Sequence, residues 1–369
     1  MTEYVTVTLS DVLFFANGKK RPESIGCIPV YGGNGVLSFC GASNVQNCIV
    51  IGRVGAYCGS VFYEKSKCWV SDNAIAAQNK GNNDIQFCYY LLKSLNLNKR
   101  HIGTSQPLLT QEILNKIKVK IPNLKTQQKI AEVLSSLDDK IELNTQINHN
   151  LEEQIRVLFE DFFINSQHCA NWKQGTIADL GNVVGGSTPS KAKPEYYTSN
   201  GIAWITPKDL SGNKSKFISK GESDITPAGL QNSSAVIMPR GTVLFSSRAP
   251  IGYIAIAKNE ITTNQGFKSV VPHPHIGTAF VYCFLKHNLP KIESMASGST
   301  FKEVSGSVMK AIPAVIPAKE VLMNFSTITQ PLFDQQELLE SENQRLAQLR
   351  DTLLPKLMSG EIDVSEVEV

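Results

Sequence analysis

The chain has 369 residues, more than a single hydrophobic core usually supports, so two or more domains are expected. Apolar residues make up 42% and charged residues 19%, which is typical of a soluble globular protein and excludes a collagen-like or disordered chain. No stretch of about eighteen apolar residues occurs, so no transmembrane helix is expected. Because Met1-Thr2-Glu3-Tyr4 lacks the basic and apolar character of a signal peptide, the sequence predicts a cytoplasmic protein.

The net charge of +3 conceals two basic segments that alternate with two acidic ones. Residues 1–122 carry a balance of +6 and residues 171–317 a balance of +7, whereas residues 123–170 carry −4 and residues 318–369 carry −6. A basic surface attracts polyanions such as nucleic acid. The two basic segments are therefore candidate polyanion-binding lobes, although solvated helix surface is the alternative explanation for any one segment.

The eight cysteines predict neither a disulfide framework nor a zinc site. None forms a C-x-x-C pair, and no histidine lies at ligand spacing from any of them. Several lie among apolar residues, as in Cys48-Ile49-Val50-Ile51, where a reduced thiol acts as a small hydrophobic side chain. We interpret His273-Pro274-His275 as a surface loop, so no metal ligand is expected in this chain.

The first basic segment predicts strands and tight turns, followed by a long helix. Tyr31-Gly32-Gly33-Asn34-Gly35 has the composition of a turn, and Ile117–Ile121 resembles a strand that ends before Pro122. The helix is predicted to begin near Thr126 and to end at about Phe163. Side chains in this helix alternate at steps of four and three, the spacing of a coiled-coil seam. With Asn144 and Asn148 as polar interruptions, the apolar members of the seam are Leu137, Ile141, Leu151, Ile155 and Leu158.

The second basic segment, which contains the β-branched run Thr242–Phe245, is followed by a second long helix. This helix has a seven-residue leucine ladder that consists of Leu332, Leu339, Leu346 and Leu353. The residues between these leucines include Gln336, Asn343 and Arg350, so the seam is too polar to predict a strong homodimer. Pairing of the two helices within one chain is the favoured interpretation, and packing of each helix on its own lobe is the alternative. As a helix, Ile130–Phe159 would span roughly 45 Å at about 1.5 Å per residue.

An internal repeat with an offset of about 195 residues accounts for nearly the whole chain. The corresponding positions are Arg53 and Arg248, Gly103-Thr104-Ser105 and Gly298-Ser299-Thr300, Pro122 and Pro317, and Leu137 and Leu332. Each match alone is weak. Their common order and near-constant offset predict that the chain arose by duplication of one unit.

Three stretches of the chain resemble the specificity (S) subunits of type I restriction-modification systems. They are Gly103-Thr104-Ser105-Gln106-Pro107-Leu108-Leu109 with its continuation to Gln127-Gln128-Lys129-Ile130, Gly186-Ser187-Thr188-Pro189-Ser190 with Gly201–Leu210, and Gln344-Arg345-Leu346 with Leu349–Gly360. The first is similar to the end of a target-recognition domain that enters a conserved helix, the second to the start of another such domain, and the third to the distal conserved region. The sequence departs from this pattern where Phe301-Lys302 replaces Gln106-Pro107 of the first repeat.

The resemblance implies an α/β (α+β) fold of two target-recognition domains, residues 1–122 and 171–317, in a pseudo-two-fold arrangement. An antiparallel pair of long coiled-coil-like helices would separate them: the central conserved helix in residues 123–170 and the distal one in residues 318–369. It also implies a non-catalytic role, in which each domain reads one half of an asymmetric bipartite DNA site and the helices set the spacer between the halves. Two modification (methyltransferase) subunits would bind the helices, and restriction subunits would add an ATP-dependent translocase and nuclease. S-adenosylmethionine, ATP and Mg are expected on these partner subunits and not in this chain.

Candidate DNA-binding residues are the cationic and amide side chains of the two lobes, because Arg can bridge guanine, Asn and Gln can bridge adenine, and Lys mainly binds phosphate. In the first lobe they are Lys19, Lys20, Arg21, Asn34, Arg53, Tyr57, Asn73, Ser105 and Gln106. In the second lobe they are Ser187, Thr188, Lys191, Lys193, Thr206, Lys208, Arg248, Tyr253, Gln265, Lys268, Ser299, Thr300 and Lys302. For each, a solvated turn, a cap or an internal ion pair is the plainer alternative.

Two other functions are less compatible with the sequence. A self-contained DNA-modifying enzyme would need an Asn/Asp-Pro-Pro-aromatic segment or a G-x-x-x-x-G-K-[ST] phosphate loop, and neither occurs. A helical adaptor that binds only proteins remains an alternative, although lobes with balances of +6 and +7 favour an acidic polymer.

Overall fold

The computed structural model describes residues 4–103, 106–166, 172–212, 215–298 and 302–364. The chain divides into two compact units, one of Met1–Leu143 with Asn343–Val369 and the other of Asn144–Glu342. The boundary between them falls inside both long helices. The boundaries of the four segments expected from the sequence stay a prediction.

The first unit contains a six-stranded sheet in the order β2-β7-β5-β6-β3-β4. The strands of the whole unit are β1 (Val5–Thr8), β2 (Leu13–Asn17), β3 (Ile28–Gly32), β4 (Gly35–Cys40), β5 (Val45–Gly52), β6 (Val61–Val70), β7 (Ala74–Asn79) and β8 (Lys118–Ile121). Its helices are α1 (Leu9–Val12), α2 (Ile85–Ser94), α3 (Gln111–Asn115) and the start of α4 (Leu124–Phe163), with 3-10 turns at Gly55–Tyr57 and Leu97–Lys99. β1 pairs with β8 in a separate antiparallel pair.

The second unit contains a five-stranded sheet in the order β10-β18-β15-β16-β13 and a four-stranded sheet in the order β11-β14-β12-β17. Its strands are β9 (Lys173–Thr176), β10 (Gly181–Gly185), β11 (Tyr197–Thr198), β12 (Ile202–Ile205), β13 (Phe217–Ile218), β14 (Ser223–Ile225), β15 (Val243–Ser247), β16 (Ile251–Ala257), β17 (Thr262–Thr263), β18 (Lys268–Pro272) and β19 (Pro313–Ile316). Its helices are α5 (Ile177–Leu180), α6 (Pro207–Gly212), α7 (Pro227–Gln231), α8 (Thr278–His287), α9 (Leu289–Ser294), α10 (Gly306–Ala311) and the start of α11 (Lys319–Ser359), with a 3-10 turn at Pro194–Tyr196. β19 pairs antiparallel with β9.

The main sheets of the two units have the same topology. In each, the central strand (β5 or β15) pairs antiparallel with two neighbours. One of these neighbours (β6 or β16) pairs on its other side with a parallel strand (β3 or β13). The backbone contacts recur too: Leu9 N donates to Ile117 O, and Ile177 N donates to Ile312 O. Thr8 and Asp11 form a capping box at α1, as Thr176 and Asp179 do at α5. The shared strand order and the shared caps support the predicted duplication.

The first long helix, α4, begins and ends close to the predicted positions. The side-chain oxygen of Asn123 accepts from Thr126 N at 3.0 Å, which satisfies a free N–H group at the start of α4. α4 therefore begins at Leu124, two residues before the predicted start, and it ends at Phe163 as predicted. The predicted turn after β3 is also confirmed, because β4 begins at Gly35, whose φ of 82° favours glycine.

The two long helices pack against each other in antiparallel orientation, as predicted. In the first unit, Arg350 contacts Asp138 at 2.5 Å and Asn343 donates to Ile141 O at 3.3 Å. In the second unit, Asn144 donates to Glu342 at 2.8 Å and Gln336 donates to Asn148 O at 3.1 Å. From one contact to the next, the residue numbers on α11 decrease as those on α4 increase, which is the pattern of antiparallel helices. The polar residues that weaken the predicted seam thus form hydrogen bonds between the helices, and such bonds favour one register over others.

The apolar seam side chains are buried or partly buried. Ile155 and Leu339 are buried. The partly buried members are Leu137, Ile141, Leu151, Leu158, Leu332, Leu346 and Leu353. The helices also complete the cores of the lobes, since Leu134 and Leu357 pack in the first core and Phe159 and Phe325 in the second. The two alternatives for the helices, mutual pairing and packing on the lobes, are therefore both realised.

The cysteines in the described ranges are free thiols, and all of them except Cys27 are buried. Cys169 lies outside the described residues. Across the described ranges, no helix combines the length and apolar character that crossing a bilayer requires.

Candidate nucleic-acid interface

In the first unit, the predicted DNA-binding residues begin at the end of β2. Lys19 N donates to Val70 O at 3.0 Å, and Trp69 donates its indole N–H to Lys19 O at 3.2 Å. Gly18 precedes Lys19, and a Cβ atom there would lie 1.9 Å from the carbonyl oxygen of Ser71. Only glycine allows this close approach, which fixes Lys19 beside the turn between β6 and β7. Lys20 and Arg21 follow with exposed side chains.

Arg53 and Asn73 lie side by side in the same unit. Arg53 follows the last residue of the central strand β5, and its N–H donates to Asn73 O at 3.0 Å. The Arg53 side chain is half-buried, its Nε atom has no hydrogen-bond partner among the described residues, and no acidic side chain in those ranges pairs with it. A half-buried guanidinium in this state can donate to an incoming acceptor, whether phosphate or guanine.

Three further predicted residues of the first unit lie around Arg53. Tyr57 is 53% exposed. Its Cβ lies beside Gly33, 3.5 Å from where a Cβ on that glycine would be. Gly33 precedes Asn34 at the tip of the β3–β4 hairpin. Gly55 N donates to Pro107 O at 3.1 Å, which brings the loop with the exposed Gln106 to the same place. The structure therefore connects Lys19, Asn34, Arg53, Tyr57, Asn73 and Gln106 through neighbouring backbone segments. Ser105 lies outside the described residues.

In the second unit, a polar cluster links four of the predicted residues to Glu303. The Thr188 hydroxyl donates to Gln265, and Lys268 Nζ lies 3.4 Å from Gln265 O. The carboxylate of Glu303 lies 3.4 Å from Lys268 Nζ and 3.7 Å from Arg248 Nη1. Ser187 adjoins this cluster, since its N–H donates to Thr263 O at 2.9 Å. The two corresponding arginines thus differ: Arg248 is paired with an acid and Arg53 is not.

Other predicted residues of the second unit have local partners. Lys193 donates to the Tyr196 hydroxyl at 3.0 Å, and this hydrogen bond raises the pKa of Lys193. Lys208 pairs with Glu222 at 2.6 Å, a contact that raises the pKa of Lys208. The Asp209 carboxylate accepts from both the backbone N–H and the hydroxyl of Thr206 at 2.7 Å, so this threonine has a local partner at the start of α6.

Three more residues of that set are spread over the second unit. Lys191 and Lys302 are exposed, whereas the half-buried Tyr253 lines a cavity of about 540 Å³ that also contains Lys216. Ser299 and Thr300 lie outside the described residues. In the described ranges, no hydrogen bond or ion pair joins Lys191, Lys193, Lys208 or Tyr253 to the Glu303 cluster.

The sequence missed two features of these surfaces. Gly186 corresponds to Gly18, because a Cβ there would lie 2.0 Å from Asn264 O. The following residues, Lys19 and Ser187, are therefore placed alike, although their offset is smaller than 195. The Gly-Ser and Gly-Lys pairs after a β-strand were the available signal. The second missed feature is Glu303, because no spacing in the sequence indicates that it lies next to Arg248. Within the described ranges, no group of His, Cys, Asp and Glu side chains could hold a metal ion.

The sequence model of the type I restriction modification DNA specificity domain matches residues 1–153 and, a second time, residues 170–349. The chain belongs to this family. The two matches correspond to the two halves of the duplication, so each half contains its own copy of the domain.

Individual relatives agree with the family assignment. The specificity subunit of the type I restriction enzyme MjaIX of Methanocaldococcus jannaschii is 38% identical over 181 residues, which cover 48% of this chain and 42% of that protein. The specificity subunit of the type I restriction enzyme HindI of Haemophilus influenzae is 25% identical over 330 residues, covering 69% of this chain and 71% of that protein. The alignment with the first relative thus spans less than half of its length.

Among solved structures, the type I restriction-modification S subunit from M. genitalium has a similar fold. The TM-score is 0.64 at 18% sequence identity, and the match covers 96% of both chains. At this identity the likeness concerns the fold alone.

Proposed function

We propose that this chain is the non-catalytic DNA-specificity subunit of a type I restriction-modification complex, in which each unit reads one half of an asymmetric, bipartite DNA site. The observation that carries the proposal is the repeated sheet with an arginine directly after its central strand, Arg53 in one unit and Arg248 in the other. A repeated frame with different surrounding side chains suits the recognition of two different sequences by one architecture.

Within each unit, we assign phosphate binding to lysines and base recognition to arginine and amide side chains. Lys19, Lys20 and Arg21 would hold the backbone of one half-site, while Arg53, Asn73 and Gln106 would approach base edges. In the second unit, Arg248 and Gln265 would approach bases and Lys268 a phosphate. The basic balance of both lobes supports the binding of a polyanion.

The long helices would set the spacer between the half-sites and bind two methyltransferase subunits. Their acidic character disfavours close approach to a duplex. Their apolar side chains with free surface are Leu143, Val157, Met323, Ile328, Leu338 and Leu349. We assign contacts with the methyltransferase subunits to these side chains, because the core of a protein interface is apolar.

The chemistry of the complex would belong to the partner subunits in the cytoplasm. S-adenosylmethionine would bind to the methyltransferase subunits, and ATP with Mg to restriction subunits that translocate and cleave DNA. This chain would supply only the choice of sequence.

The experiment is to co-express the chain with its methyltransferase partner in a host without DNA adenine methylation and to map methylated adenines across the genome. We expect one non-palindromic motif with two specified halves and an unspecified spacer. Salt-titrated binding to duplexes of that motif should show a steep loss of affinity with salt. Methylation of a single continuous motif, or binding that is indifferent to salt and absent for every duplex, would contradict the proposal and favour a protein-binding adaptor.

A further inference from the structure

Glu152 on α4 is the centre of a polar cluster in the second unit. Its carboxylate accepts hydrogen bonds from Lys216 at 2.9 Å, Lys286 at 2.6 Å and the Tyr282 hydroxyl at 2.9 Å. Gln336 on α11 donates to it at 3.3 Å. Burial alone would raise the pKa of Glu152, but the two lysine ammonium groups lower it to about 2, so the carboxylate is ionised at neutral pH.

Lys216 is the most deeply buried charged residue of the cluster. Its side chain is 6% exposed, and its ammonium group bonds both Glu152 and the side-chain oxygen of Gln336, the latter at 2.8 Å. The ammonium also lies 3.5 Å from the ring centroid of Phe333 and 4.2 Å from that of Tyr282. A buried charge is strongly destabilising unless such partners compensate it, so this lysine is tied to one position.

The backbone at Lys216 is held by the same helix pair. Glu340 on α11 accepts from Lys216 N at 2.7 Å and from Phe217 N at 3.0 Å, one bond to each carboxylate oxygen. Phe217 begins β13, the strand at the edge of the recognition sheet. The segment that leads into the sheet is therefore fixed to α4 and α11 by both its side chain and its main chain.

The first unit has a simpler version of this contact. There, Asp138 on α4 accepts from the Tyr90 hydroxyl at 2.7 Å and from Arg350 on α11 at 2.5 Å. A tyrosine of the lobe thus meets a carboxylate of α4 in both units. In the first unit the cation is Arg350, which belongs to the long helix α11. In the second unit the buried cation is Lys216, which belongs to the lobe.

We infer that Lys216 is a positioning residue for DNA recognition: it fixes the orientation of the second recognition lobe on the helix pair and so sets which spacer length the complex accepts. This inference rests on the proposed function. A lobe that can rotate on its helices can meet its half-site at more than one distance, whereas a lobe held by a buried ion pair cannot. Lys216 needs no contact with DNA for this role.

The test uses the full chain in complex with its methyltransferase subunits and a plasmid library in which the two half-sites are separated by the natural spacer or by one base pair more or less. Methylation of each library member is measured by sequencing. In Lys216→Met, which has a similar length but no charge, we expect the preference for the natural spacer to fall by about tenfold. Discrimination at bases of the first half-site should not change. Lys291→Met, an exposed lysine on α9 of the same unit, is the matched control and should keep the spacer preference of the original chain.

Because Lys216→Met leaves Glu152 with fewer partners, a second variant, Lys216→Met with Glu152→Gln, removes both charges. If either variant assembles with its partners and keeps the full spacer preference, the inference is wrong, whatever the change in melting temperature. A loss of melting temperature without a change in spacer preference assigns Lys216 to stability alone and also overturns it. A failure of the proposed function is recognised separately, because the unmodified complex would then show no two-part motif.

Discussion

The guanidinium of Arg248 lies 3.7 Å from the carboxylate of Glu303, which also lies 3.4 Å from the ammonium of Lys268. The corresponding arginine of the first unit, Arg53, has no acidic partner among the described residues. In the free chain, Glu303 therefore compensates two of the charges that we assign to DNA binding, and a duplex must compete with it.

Glu303→Gln should consequently strengthen binding to non-cognate duplexes. We expect an increase of about two- to fivefold, the range typical of a partly exposed ion pair, together with a steeper dependence of affinity on salt. Fluorescence anisotropy of the complex with labelled duplexes over a salt series measures both quantities. Glu260→Gln, an exposed carboxylate in the loop before β17, is the control and should change neither. Equal effects of the two variants would assign the change to net charge and not to the Glu303 contacts.

Exchange of residues 1–122 for the corresponding lobe of another family member should change one half of the methylated motif and leave the other half intact. The junction is suitable because α4 begins at Leu124, two residues after Pro122. The donor lobe must keep apolar side chains that pack on Leu134 and Leu357, since these helix residues belong to the core of the first unit. Mapping of methylated adenines reports the result, and a change in both halves would contradict independent recognition by the two units.

Ile155→Ala should destabilise the second unit by about 2–5 kcal/mol, because the side chain is 1% exposed and its removal leaves a cavity in the core. Val157→Ala, two residues further along the same helix, removes an apolar side chain that is 41% exposed. Its cost should be below about 0.5 kcal/mol. Urea unfolding of the isolated chain followed by circular dichroism compares the two, and similar losses would show that Ile155 contributes little to the core.

The stability of the second unit should fall at acidic pH because of Glu152. Burial opposes the ionisation of this group, but Lys216 and Lys286 depress its pKa in the folded chain from 4.5 to about 2. A depressed folded-state pKa gives stability that is present above the unfolded-state value and is lost as the pH falls towards the folded-state value. The contribution is roughly 3 kcal/mol, and it should disappear between about pH 5 and pH 2.

The measurement is the free energy of unfolding at several pH values in that range, for the original chain and for Glu152→Gln. The variant should be less stable at neutral pH and should lose less stability on acidification. Glu132→Gln, an exposed carboxylate on the same helix, serves as the control. Parallel curves for the original chain and Glu152→Gln would refute the role of this carboxylate.

The features that the sequence predicted depend on local patterns or on the repeat. The ends of α4 follow from the position of Pro122 before the helix and from the seam spacing, and the correspondence of Arg53 with Arg248 follows from the constant offset. Features that depend on which distant residues meet were not predicted. Lys216 comes together with Glu152 and Gln336 from three separate stretches of chain, and no spacing rule connects them.

The additional sheet of the second unit was missed for a related physical reason. Strands such as Tyr197–Thr198 and Thr262–Thr263 have two residues each, too few to show the alternation that identifies a strand. The same limit applies to the candidate DNA-binding residues. The sequence indicated the residue types, but the loops that bring Asn73 next to Arg53 are fixed by backbone hydrogen bonds that the sequence alone does not reveal.

The discontinuity of the first unit affects how the chain folds during synthesis. Asn144–Glu342 is one continuous stretch, whereas the first unit needs Asn343–Val369 to complete it. Leu357 and Met358 are buried in the core of that unit, and the Tyr4 hydroxyl donates to Leu357 O at 3.0 Å. During synthesis, part of the apolar surface of Met1–Leu143 therefore stays uncovered until the end of α11 has emerged from the ribosome. All residues of the second unit, Asn144–Glu342, are made before the first unit is complete.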